Sequence, residues 1–189
     1  MSSTIERKLA AIMFTDIAGY TSQMSKDQDV ALSMLDIKHK ALKPLIQKYN
    51  GTLVKEMGDG TLSHFSSSID AANCSTELQK SLNRYTNLNI RIGIHHGKTI
   101  FKNNDVFGDV VNIASRLETM APPGGVLVSE NVFDCIQNKK KYEGISLGLQ
   151  TLKGIGKLVN VYALKNKYLK TPKNEYKNTM INVHSDKET

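Results

Sequence analysis

A chain of 189 residues, 40% hydrophobic and 23% charged, suits one globular domain with its own core and excludes a fibrous or wholly disordered protein. No run approaches the roughly eighteen apolar residues of a membrane span. The start MSSTIERKLAAIMF carries an acid and no cleavage site behind a long apolar stretch, which reads as a soluble chain that is not exported. Of the net charge of +7, residues Lys165 to Thr189 supply +3 through six lysines against three acids, so the body carries too little excess to argue for nucleic acid. Cys74 and Cys135 are far apart without metal-type spacing, which fits a reducing cytoplasm.

The apolar run KLAAIMFT, residues 8 to 15, predicts a buried strand that ends in Asp16 and a turn at Gly19. From Asp27 to Asn50, Val30, Leu32, Leu35, Ile37, Leu42, Leu45 and Ile46 recur at mostly helical spacing, with Pro44 predicting a kink or a break and Asn50-Gly51 a stop. GTLVKEM and TLSHFS then form two strands of a hairpin around Gly58-Asp59-Gly60. An amphipathic helix follows over 68 to 85, and NIRIGIHHGKTIF alternates as a long strand. Gly108-Asp109 opens the helix DVVNIASRLETMA, closed by Pro122-Pro123-Gly124-Gly125, and the remainder reads as strands around one short helix. This order predicts an α+β sheet with helices on one face. The folded domain is expected over 1 to 164, with 165 to 189 a polar, basic, disordered tail containing Pro172.

Asp16 ends the first strand and Asp59 sits in the hairpin turn. If those strands are neighbours, the two carboxylates approach one point and repel unless one is protonated or a cation lies between them. Mg²⁺ suits such a place, because it takes one or two carboxylates together with substrate phosphates. The peptide after Asp16 adds the Ile17 carbonyl, and Gly19 lets the chain turn closely around a phosphate. A single Asp at a strand end is ordinarily a turn or capping residue, so the pair, each beside a glycine turn, is what raises the metal reading. Asn112 and Arg116 lie four apart and project from one helical face; taken alone they would be a capping-type Asn and a surface Arg. His95 and His96 are adjacent on a strand and point to opposite faces, which argues against a two-histidine metal site.

FTDIAGYT, Lys55-Glu56-Met57-Gly58-Asp59, RIGIHHG and DVFGDVVNIASR, in this order between Lys8 and Leu164, resemble the catalytic domain of class III nucleotide cyclases. The resemblance implies that family's fold, with a ferredoxin-like βαββαβ core sheet. It implies two divalent ions per site, Mg²⁺ or Mn²⁺, held by Asp16, Asp59 and the Ile17 carbonyl. Asn112 would orient the ribose and Arg116 would neutralise charge on the α-phosphate. Lys55 and Asp105 would read adenine, and Arg91 and Lys153 would hold the triphosphate. It also implies a head-to-tail homodimer with two shared sites, ATP as substrate and cyclic AMP as product, with any regulator an unseen domain or protein. The alternatives are a guanylate cyclase, disfavoured by Lys55 and Asp105, and an inactive nucleotide-binding regulatory domain. An RNA-binding sheet would want a cluster of exposed aromatics that the sequence lacks.

Overall fold

The computed structural model describes residues 5–173. The chain runs β1 (Glu6–Ile17), α1 (Tyr20–Lys26), α2 (Gln28–Lys48), β2 (Thr52–Met57), β3 (Gly60–Phe65), α3 (Ser68–Leu82), β4 (Ile90–Lys102), β5 (Asp105–Phe107), α4 (Asp109–Met120), β6 (Val126–Ser129), α5 (Glu130–Ile136), β7 (Glu143–Thr151) and β8 (Leu158–Lys165). The strands form one mixed sheet in the order β2-β3-β1-β4-β6-β8-β7, with β5 hairpinned onto the end of β4. Among the described strands only β4 and β6 run parallel, as a crossover through α4 requires. The α+β class and the cyclase-type sheet are therefore present. No helix among the described residues is long and apolar enough to cross a membrane.

The expectation of helices on one face is corrected. Ala11, Met13 and Ile17 of β1 pack with α2, α3 and α5, while Ala10 and Ile12 pack on the other side against Val110 and Ala114 of α4. The run LAAIMF is apolar at successive positions, and a strand apolar on both faces needs cover on both. Gly93 shows how close that cover comes: a Cβ there would lie 2.1 Å from the Glu118 backbone nitrogen, so α4 rests directly on β4.

Asp27 caps α2 by accepting from the Val30 N–H at 3.1 Å. Pro44 does not divide that helix. It lies on the exposed side with Lys40, whose carbonyl loses its i+4 donor but can turn to water. The buried stripe of α2 is Ala31, Met34, Lys38, Leu42 and Ile46, and Val30 and Leu32, read above as part of the apolar face, are exposed. Past Leu164 the chain stays packed: Leu169 joins the main core, and the Lys170 N–H donates to the Gly124 carbonyl at 3.0 Å. The folded part thus runs beyond the expected boundary, and the rest of the tail, residues 174–189, lies outside the described residues.

Candidate active site

The register of β1 carries Asp16 to one end of the sheet, opposite Arg91 on β4. The hairpin β2–β3 closes with Met57 paired to Gly60, so Gly58 and Asp59 form a two-residue turn, and Gly58 takes φ 61° there. That turn folds back onto β1: the Ile17 N–H donates to Asp59 Oδ2 at 2.9 Å. Arg91 donates to Asp16 Oδ2 at 3.0 Å and stands 3.6 Å from Glu118 on α4. Beneath them, the fully buried Lys38 ammonium donates to the Thr15 carbonyl at 3.3 Å and to the Asp59 carbonyl.

These contacts set the electrostatics. Burial, and then the neighbouring Asp59 carboxyl, raise the pKa of Asp16, with Arg91 opposing. Burial and the Asp16 carboxylate likewise push Glu118 well above the usual carboxylate range. Burial lowers Lys38 to about 8 against the pull of Asp59 and Asp16. Among the described residues, Asp16 Oδ1 is buried and has no hydrogen-bond partner. A buried, unpartnered carboxylate oxygen facing a second acid fits a hard divalent cation, which prefers oxygen ligands.

A second cluster lies where β2 meets β5. Lys55 Nζ donates to both Asp105 oxygens, at 2.9 and 2.7 Å. Beside its own N–H bond from Val106, this pairing holds the Asp105 carboxyl below its ordinary pKa, Lys55 being the larger cause. Asp105 owes its place to a hairpin that the sequence reading passed over: Asn103 and Asn104 sit at φ 53° and 59°, and Lys102 pairs with Asp105. A third cluster joins the α4 face to the β7–β8 loop, where Arg116 Nε donates to the Lys153 carbonyl at 2.9 Å. Asn112, one turn earlier, is exposed. Gly19, at φ 74°, begins α1 immediately after the Asp16 strand.

Lys38 and Glu118 are the neighbours that sequence reasoning missed. The signal for Lys38 was a lysine at i+4 from Met34 and i−4 from Leu42, inside the true buried stripe; Glu118 likewise follows Ala114 by one turn on the face that α4 buries. His95 and His96 lie outside these clusters. His95 is buried with Nδ1 at 2.7 Å from Ser129 Oγ, a packing role.

The mixed sheet is thus covered on both faces, with Asp16 and Asp59 close together at one strand end and Asn112 and Arg116 on α4. The adenylate and guanylate cyclase catalytic domain family matches over residues 5–166, and the chain belongs to it. A Rhizobium meliloti (strain 1021) protein, named provisionally as adenylate cyclase 3, is 30% identical over 167 residues, covering 84% of this chain and 28% of its own length. The receptor-type guanylate cyclase gcy-23 of Caenorhabditis elegans is 27% identical over 182 residues, covering 82% of this chain and 17% of its own. The crystal structure of an adenylate/guanylate cyclase/hydrolase from Silicibacter pomeroyi superposes with a TM-score of 0.80 at 32% identity, covering 85% of this chain and 98% of that one. The chain thus spans less than a third of the length of these two curated relatives.

Proposed function

We propose that this chain is the catalytic domain of an adenylate cyclase, forming 3′,5′-cyclic AMP and pyrophosphate from ATP in a head-to-tail homodimer with two shared sites. The observation that carries the reading is the Lys55–Asp105 pair, a donor and an acceptor held side by side within 2.9 Å. Adenine offers an acceptor at N1 and a donor at N6, and guanine inverts both, so this pair complements adenine. Asp16, Asp59 and the Ile17 carbonyl would hold Mg²⁺ or Mn²⁺, which when bound supply Lewis acidity at the ribose 3′-hydroxyl and the phosphates.

The ribose 3′-oxygen attacks the α-phosphorus and loses its proton to water, the bond from that phosphorus to the bridging oxygen breaks, and pyrophosphate leaves. Arg116, whose Nε donates to the Lys153 carbonyl, would use its terminal amino groups to neutralise the negative charge that builds on the α-phosphate. Asn112 orients the ribose. Arg91 and Lys153 neutralise the triphosphate, and Gly19 lets the turn after Asp16 pass close to it. The acids come from one protomer, and Lys55, Asp105, Asn112 and Arg116 from its partner.

The test is product formation from ATP and GTP in parallel, with Mg²⁺ and then Mn²⁺, across a range of protein concentration. Cyclic AMP from ATP alone, with specific activity rising as the dimer forms, is the expected result. Cyclic GMP as main product would favour a guanylate cyclase, the activity named for the C. elegans relative. No product from a well-folded dimer would leave a regulatory nucleotide-binding domain.

A further inference from the structure

We propose that Lys38 is a positioning residue for the acid half of the site: its buried ammonium ties the end of β1 to the β2–β3 turn and holds Asp16 and Asp59 at the spacing a divalent cation needs. The proposal rests on the metal-dependent cyclase reading and adds to it a residue outside the resemblance motifs. A lysine with no exposed surface, placed between Met34 and Leu42 on the buried face of α2, occupies a position where a leucine or methionine would pack at far lower cost. What offsets that cost is visible in its partners. The ammonium donates to the carbonyl of Thr15, the residue before Asp16, at 3.3 Å, and to the carbonyl of Asp59 itself.

Both acceptors are main-chain atoms, so the tie fixes where the two acids stand without consuming a carboxylate oxygen. Asp16 Oδ1 stays buried and unpartnered, and the Ile17 N–H to Asp59 Oδ2 bond at 2.9 Å straps the same two segments from above. Lysine has three donors and no acceptor, which suits a bridge between two carbonyls. The geometry and the charge of Lys38 act on a metal with opposite sign. As a tie, it preorganises the ligands and strengthens binding; as a bare positive charge beside the acids, it repels a divalent ion.

That difference in sign makes the role measurable without reference to turnover. Mn²⁺ binding to the full chain is read from loss of the free-ion electron paramagnetic resonance signal, with a non-hydrolysable ATP analogue present. Wild type is compared with Lys38→Met, which keeps the volume, and Lys38→Gln, which keeps a donor on a shorter arm; circular dichroism confirms the fold. The expected result is Mn²⁺ affinity about tenfold weaker in Lys38→Met, with Lys38→Gln between it and wild type. Unchanged affinity would make Lys38 a packing residue, and tighter binding would make it only a counter-charge; either overturns the proposal. Should Lys38→Met not fold, Lys38→Gln is read by the same three outcomes. A wild type that binds no Mn²⁺ overturns the metal site and this proposal together, whereas a wild type that binds and cyclises beside an unchanged variant sinks the role of Lys38 alone.

Discussion

Asp16 and Asp59 belong to a cluster that one chain completes from β1, α2, the hairpin turn, β4 and α4, in which Lys38 and Glu118 are buried while Asp16, Asp59 and Arg91 are half-buried. Lys55, Asp105, Asn112 and Arg116 stand at the surface, and three of them are occupied by exposed or half-exposed local partners. The first region holds more charge than it can satisfy, as the raised pKa values of Asp16 and Glu118 and the unpartnered Asp16 Oδ1 record. The second is satisfied as it stands, but by bonds open to solvent, which are weak and readily exchanged for a ligand. Under the proposed reading, the half-buried, charge-rich side would take the cation, and the solvent-open side would exchange its local partners for the base.

The largest expected effect lies on the acid side. Asp59→Asn keeps an oxygen for the Ile17 N–H but removes a charge, and cyclase activity should fall on the order of 10³-fold while the unfolding midpoint hardly moves. Equal losses of stability and activity would instead show that Asp59 serves the turn. Next comes the comparison itself. Asp16→Ala and Arg116→Ala chains, each inactive alone, should on mixing recover about a quarter of wild-type activity, since half of randomly paired dimers carry one intact site of two. No recovery from a mixture shown to exchange subunits would mean that both halves serve one chain.

A third test addresses the sheet under the exposed half. His95 on β4 is buried, and burial lowers its pKa from 6.5 to about 4. The unfolded chain therefore binds this proton first, so stability is full above about pH 6.5 and is lost as pH falls toward 4, by roughly 3 kcal/mol for this one group. Chemical unfolding at pH 4.5 and 7.5 should show a loss that His95→Gln reduces; an equal loss in the variant would assign it to other groups. The smallest effect is Lys55→Ala, which should cost ATP about 10- to 100-fold in kcat/KM and narrow the preference over GTP. A uniform loss for both nucleotides would place Lys55 on the phosphates.

The elements were largely readable. Turn chemistry marked the hairpin at Gly58-Asp59, helical spacing marked α3 and α4, and alternation marked β4, because these signals are local. What escaped was set by partners distant in the chain. Val30 and Leu32 look like core until α2 is seated, when its register turns them to solvent. The Asn103-Asn104 turn drew no reading, because the three-residue β5 is defined only by its pairing with β4. The motifs around Asp16, Lys55, Asn112 and Arg116 could be placed on strands and helices from spacing alone, though their roles, like that of Asp105, came by resemblance.

The sequence by itself determined the α+β class, the family and the residue types that the proposed site draws on, since residue type and short-range spacing carry those. Only the tertiary structure decided that α4 covers the second face of the sheet, that Lys55 and Asp105 meet, and that Lys38 and Glu118 stand beside the acids. The physical reason is that a lysine or glutamate on a helix reads as solvated until the surface it packs against is known, and that surface is built from strands tens of residues away.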